Sequence, residues 1–279
     1  MSTATVCKNI CAAETMEQKC AYIDLFDDRV DEQGVPYVGK ANVFVSHAWR
    51  YDALEVVDSI LEAAPTIEDR KEAEAEAGDG STSSKELYFW FDTCVVCQHE
   101  DGEQRSQAWW ADQFKDTIAD IGYTLLILMP WDNPVPMTRA WCLWEMLATL
   151  ASDVELHCQM PAPQRKAFID SMIERPGAVE TALNVLETID ARNATAWMPS
   201  DQKMIFAAIE RNLGFNHLNK AIKDQMRQWL VETAQTEETD MTVNFELAVE
   251  GHIPYESLDP HHEEMLARLQ FNLGCLLNK

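Results

Sequence analysis

Basic residues are scarce in this chain. Lysine and arginine number 22 against 47 aspartates and glutamates, giving a formal net charge of -25 over 279 residues. Nucleic-acid binding through counterion release needs basic patches, so no nucleic-acid partner is expected. Anionic membrane surfaces are disfavoured for the same reason. An anionic ligand would have to be held locally, by a few arginines or a helix N-terminus, against the global field. Long apolar runs are missing as well: every run is far shorter than a membrane span. The N-terminus, MSTATVCKNICAAETMEQK, has no basic start followed by a long apolar core, so it does not read as a secretory signal.

Several chemical signatures are also lacking. No Walker loop, GxGxxG turn or GxSxG elbow occurs, which removes local support for P-loop hydrolysis, Rossmann hydride transfer and α/β-hydrolase chemistry. Cys94 and Cys97 form a C-x-x-C with His99 close behind, but no second such pair follows. A zinc site needs further ligands at suitable spacing, and Cys142 or Cys158 would join only through the fold. The expectation is therefore thiols in a strand-end loop and no metal.

What is present is core material. Apolar residues make up 47% of the chain, enough for one large or two small domains. The eight cysteines are scattered in a chain too hydrophobic to need staples. They read as mostly reduced thiols of a cytoplasmic protein.

Short β-branched and aromatic runs alternate with helical patterns. Strands are predicted at 42–46 (NVFVS), 87–92 (LYFWFD) and 123–129 (YTLLILM), with a short fourth at 154–158 and a fifth within 188–196. Asp52 caps a predicted helix in which Leu54, Val57 and Leu61 recur at helical spacing, with its end at or near Pro65. Residues 66–86 are acidic, then glycine- and serine-rich, and read as a solvated surface insertion. A helix over 107–121 ends on Gly122. Residues 162–187 read as helical with a break near Pro176. Ser200 or Asp201 caps a long helical region ending near Ala234. Residues 235–262 are polar and turn-rich, and 263–277 form a strong helix. This alternation predicts an α/β fold: a parallel five-stranded sheet with helices on both faces, plus a C-terminal helical tail.

The organising stretch is 123–152, strand then proline-broken loop then helix. From Thr138, Leu143, Met146, Leu147 and Leu150 gather on one helical stripe. Glu145 lies about 150° from its centre, with Trp141 and Trp144 on its side. Trp141 and Glu145 are four apart, hence surface neighbours. A carboxylate beside an aromatic wall suits cleavage of a glycosidic bond. It stabilises positive charge developing on the sugar, while the ring stacks on a planar leaving group.

Three boxes then carry a resemblance. NVFVSHAW resembles the first box of Toll/interleukin-1 receptor (TIR) domains, a hydrophobic strand ending in F-(I/V)-S-(H/Y). WFD at 90–92 is similar to the end of their second strand, before the BB loop. RAWCLWEM is similar to their W-C-L-x-E helix segment. The combination looks like a TIR-like module of algal and fungal signalling proteins, often followed by kinesin-light-chain-like tetratricopeptide repeats; NLGCLLNK resembles the start of such a repeat. The resemblance implies a flavodoxin-like domain over 41–235, after a lead-in at 1–40 and before a linker and helix at 236–279.

It also implies roles. Glu145 is the candidate catalytic carboxylate and Trp141 a stacking wall. Ser46, His47, Trp49 and Arg50 line the nucleotide cleft. Arg50 or Arg139 meets the pyrophosphate, and Asp92 organises the BB loop. NAD is then a substrate, with no cofactor required, and self-association accompanies activity. Three departures stand out: the BB loop reads TCVVCQHEDGEQR, Trp144 sits where many relatives are polar, and the insertion at 66–86 is unusual. A non-catalytic assembly module is the rival reading, with Trp109, Trp110, Trp141 and Trp144 as an interface. A related enzyme acting on another nucleoside N-glycoside is the third.

Overall fold

The computed structural model describes residues 1–77, 86–99, 107–174, 178–250 and 252–277. The predicted break at Pro176 and the end of the BB-like loop, residues 100–105, lie outside the described residues. So do the side chains of Trp109 and Trp110. The chain divides into two compact units. The first comprises residues 1–128, 135–161 and 191–215. The second comprises 129–134, 162–190 and 216–279.

The first unit is α/β. Its strands are β1 (Val43–Ser46), β2 (Phe89–Trp90), β3 (Tyr123–Ile127) and β4 (Glu155–Gln159). All pair in parallel in the order β2-β1-β3-β4. Central parallel strands are covered on both faces, so their sequences run apolar rather than alternating. That is why VFVS and YTLLI are buried throughout. The edge strand ELHCQ is half-buried and more polar.

The N-terminal helices α1 (Thr3–Val6) and α2 (Ala12–Glu14) flank a wider π turn at Cys7–Cys11. Helix α3 (Ala53–Ala77) follows β1, and α4 (Asp92–Val95) is a single turn after β2. Helices α5 (Gln107–Ile121) and α6 (Ala140–Ala151) flank β3. Phe44, Ile118 and Ala148 form a buried cluster with Trp90, Phe114, Ile121 and Val154 around it, which seats α5 and α6 on the sheet. The two faces separate at β3. Thr124 bonds Thr149 of α6 at 2.9 Å, whereas the adjacent Tyr123 ring lies 5.6 Å from the Lys71 ammonium of α3. Successive strand residues point to opposite faces, so α3 and α6 lie on opposite sides. Gly122 closes α5 at φ +76°, a left-handed position that glycine adopts without steric cost.

The structure corrects several expectations. Among the described residues the sheet has four strands, not five. The predicted fifth, within TIDARNATA, holds a 3-10 turn at Ala191–Asn193 and one isolated bridge from Thr195 to Arg139. Aspartate and asparagine disfavour strands there. β2 spans two residues of the predicted six.

Pro65 does not end its helix: α3 continues to Ala77. Its buried row is Val56, Ile60, Ala63 and Ile67, whereas Leu54, Val57 and Leu61 are exposed. Both rows have helical spacing, and the longer one becomes visible only when the helix is carried past the proline. An interior proline removes a hydrogen bond and costs about 3 kcal/mol, offset by up to about 1 kcal/mol of unfolded-state rigidity. Pro65→Ala is therefore expected to stabilise the chain by about 2 kcal/mol, read as a rise in urea midpoint. No change would show that the helix bends there without losing contacts.

In the long helical region, α9 (Pro199–Asn212) starts with Pro199 in the first turn and stops before Gly214, whose φ is +72°. Helix α10 (Gly214–Val249) then runs through the polar stretch expected to be turn-rich. A thin buried row, Ala234, Met241 and Ala248, repeats every seven residues and keeps one side apolar.

The second unit is helical. Helix α7 (Ala162–Glu174) and α8 (Ala178–Thr188) receive α11 (His262–Leu277). Leu269, Leu273 and Leu276 of α11 are buried, and Asn272 donates to the Met172 carbonyl at 2.5 Å. No described helix is long and apolar enough to cross a membrane.

Candidate functional site

The strand order turns at β1, with β2 on one side and β3 on the other. In open parallel sheets the crevice at such a switch point, outside the carboxyl ends of the strands, is where ligands bind. Ser46 ends β1, and its hydroxyl donates to Oε2 of Glu145 at 2.5 Å. One hydrogen bond thus joins the end of β1 to α6.

Glu145 does not stand on an open face. α6 is buried on nearly every side, from Ala140 through Thr149 apart from Trp141, because the sheet, α5 and α9 all pack against it. Glu145 itself is 7% exposed. Burial pushes its carboxyl up to about 8; the Ser46 hydroxyl opposes the rise and the Asp92 carboxylate adds to it. Near neutral pH the carboxyl is predominantly protonated. No basic side chain among the described residues forms an ion pair with it, Arg139 included.

His47, next in the chain, is also buried. Its ring stacks on Phe91, 4.7 Å between centroids and 28° between planes. Nδ1 lies 4.0 Å from Oδ1 of Asp92, too far for a hydrogen bond. Burial lowers the imidazole pKa, partly opposed by Asp92, and keeps the ring neutral. Asp92 accepts at Oδ2 from the Trp49 indole N–H, at 2.6 Å. His47 Nε2 and Asp92 Oδ1 are buried without hydrogen-bond partners among the described residues. Buried polar atoms are usually satisfied, so two neighbouring exceptions mark a place where polar groups of a ligand or water fit.

The loop after β1 is held from the lead-in. Thr3 and Ala4 donate backbone hydrogen bonds to the carbonyls of Tyr51 and Trp49, both at 2.9 Å, and the Thr3 hydroxyl bonds the Trp49 carbonyl at 2.8 Å. The Met1 amino group pairs with Asp52, whose Oδ1 also caps α3 through the Leu54 N–H at 3.0 Å.

Of the residues expected to line a cleft, Ser46, His47, Trp49, Asp92 and Glu145 are linked by these contacts. Arg50 is exposed, and Arg139 is half-buried as the N-cap of α6. Neither guanidinium forms an ion pair among the described residues. Trp141 turns to α9 and α5: its indole N–H meets Asp201 at 3.2 Å, and its ring lies 5.5 Å from Phe114. Trp144, a proposed interface residue, is 3% exposed.

Two neighbours escaped the sequence reading. Cys142 donates to the His47 carbonyl at 3.5 Å, and burial raises its thiol well above the ordinary range. Its position three residues before Glu145, on the same helical face, was the available signal. Phe91 is the other; nothing local marks it as a stacking partner for His47.

The C-x-x-C segment lies against the lead-in. Cys97 reaches the Lys19 carbonyl at 3.5 Å, and His99 Nε2 is 2.8 Å from the Thr15 hydroxyl. Among the described residues no group of three histidine, cysteine, aspartate or glutamate side chains is placed to hold a metal ion. Comparisons with protein-family models, with curated proteins and with solved structures return no match for this chain.

Proposed function

We propose that this chain is a flavodoxin-like, TIR-like signalling domain that cleaves the nicotinamide–ribose bond of NAD when it self-assembles, with Glu145 as the catalytic carboxyl group. The observation that carries this reading is the 2.5 Å hydrogen bond from Ser46 to Glu145 at the carboxyl end of β1. It links the F-V-S-H box to the W-x-x-x-E helix at a switch point of a parallel sheet, where a nucleotide fits.

In the proposed step the bond from the anomeric carbon to the nicotinamide nitrogen breaks. The electron pair leaves with nicotinamide, and positive charge develops on the ribose. Once the cover over Glu145 has moved, solvation lets the carboxyl lose its proton to water; the carboxylate then stabilises that charge, and Ser46 stabilises the carboxylate by donating to it. Water then adds to the anomeric carbon and loses a proton. His47 Nε2 and Asp92 Oδ1 are free to bond sugar hydroxyls. Because Glu145 is 7% exposed, nucleotide entry requires the cover over it to move. Self-association is the event proposed to drive that movement, and the cytoplasm is the proposed location.

A second reading rests on the same burial. A neutral carboxyl bonded to Ser46 is also a structural tie between β1 and α6, in a module that only assembles. The test is nicotinamide release from the concentrated full-length protein incubated with NAD. Glu145→Ala and the isosteric Glu145→Gln are each expected to lower release by about a hundredfold. Release that survives in both variants sinks the assignment of Glu145. A folded wild-type protein that releases no nicotinamide at any concentration favours the structural tie.

A further inference from the structure

Helix α3 divides its surface into three stripes. Val56, Ser59, Ile60, Ala63 and Ile67 are buried. About 135° round from the centre of that row lie Leu54, Val57 and Leu61, 72%, 44% and 63% exposed. On the opposite flank Glu55, Asp58 and Glu62 are exposed and form an acidic stripe. Each acid follows one of the exposed apolar residues directly, so the two stripes run side by side for about two helical turns, roughly 10 Å.

Single exposed leucines are ordinary, but three at i, i+3 and i+7 on one face are the pattern by which a helix meets another helix. We propose that this face of α3 docks a partner helix that is amphipathic and basic. Its apolar side would lie along Leu54, Val57 and Leu61, with lysines or arginines against Glu55 and Asp58. Charge selects the occupant. A second copy of this chain would set the same acids beside each other and carries a formal charge of -25, whereas a basic helix is drawn to both stripes. This surface is distinct from the Ser46–Glu145 site and does not depend on any catalytic reading.

The experiment uses the full chain and a synthetic amphipathic helix with leucines on one face and lysines on the other, followed by fluorescence anisotropy. Wild-type protein binds it, and an otherwise identical peptide with glutamate for lysine does not bind. Leu61→Asp is expected to weaken binding about tenfold, and Val57→Asp likewise. Both variants add negative charge, so unspecific attraction of the peptide to an acidic protein would hold or strengthen. Binding that is unchanged or tighter in both variants overturns the proposal, as does a wild type that fails to bind. Sedimentation of the protein alone supplies a further arm: self-association that Leu61→Asp abolishes makes a second copy the occupant, which also overturns it.

Discussion

Glu145→Gln flattens the pH dependence of stability, so that the variant gains about 3 kcal/mol on the wild type between pH 5 and pH 8. The folded wild type holds its carboxyl proton up to about pH 8, whereas in the unfolded chain the group ionises near the ordinary glutamate value of about 4.3. Between those values the folded state binds one proton more than the unfolded state. Stability therefore falls as pH rises through the window, by about 1.4 kcal/mol per unit, and levels off above about pH 8. Glutamine does not titrate, and its carbonyl still accepts from Ser46. His47 works in the opposite sense, because its lowered folded pKa makes acid destabilising. It is present in both proteins and cancels in the difference. Urea denaturation of wild type and variant at several pH values between 5 and 8 measures this. Parallel stability curves would mean that Glu145 is solvated and ionised, and the buried site described above would be wrong.

The second large effect is expected at Phe44. Its ring is fully buried on β1, stacked on Trp90 at 4.7 Å and 14°, and set edge-on to Phe114 at 6.3 Å and 78°. Ile118 of α5 and Ala148 of α6 close the cluster. Truncating a buried phenylalanine costs about 3–5 kcal/mol through lost transfer energy and the cavity left behind. The aromatic pairs place Phe44→Ala near the top of that range. Phe44→Leu keeps most of the volume and is expected to cost about 1.5 kcal/mol or less. Chemical denaturation gives both values, and the fluorescence of the native state reports the altered surroundings of Trp90. An alanine variant within about 1 kcal/mol of wild type would show that the sheet and α6 are not joined through this ring.

The parts of the fold legible in the sequence are those whose signal is local. VFVS and YTLLI are continuously apolar because both faces of a central parallel strand are covered. Gly122 suits a left-handed helix end whatever surrounds it. Helical spacing put Leu143, Met146, Leu147 and Leu150 on one stripe of α6; the first three are buried and Leu150 is half-buried, but Cys142, Trp144 and Glu145 off the stripe are buried as well.

Where the structure departs from expectation, the segment offers a choice between equivalent local patterns. α3 carries two apolar rows, and only the sheet it packs against selects Val56, Ile60, Ala63 and Ile67. α10 passes through a polar stretch because three small or flexible apolar side chains seven residues apart keep a packing seam. The predicted fifth strand is absent because Asp190 and Asn193 disfavour extended pairing: a 3-10 turn forms at Ala191–Asn193, and Thr195 makes only an isolated bridge to Arg139.

Glu145 shows the same division. Its place on α6, one turn from Cys142 and away from the leucine stripe, follows from the sequence alone. That it is buried, protonated near neutral pH and bonded to a serine 99 positions earlier was decided by tertiary structure. Periodicity is a property of a segment by itself. The dielectric around a carboxyl group, and the donor that reaches it, belong to whatever other segments are brought against it.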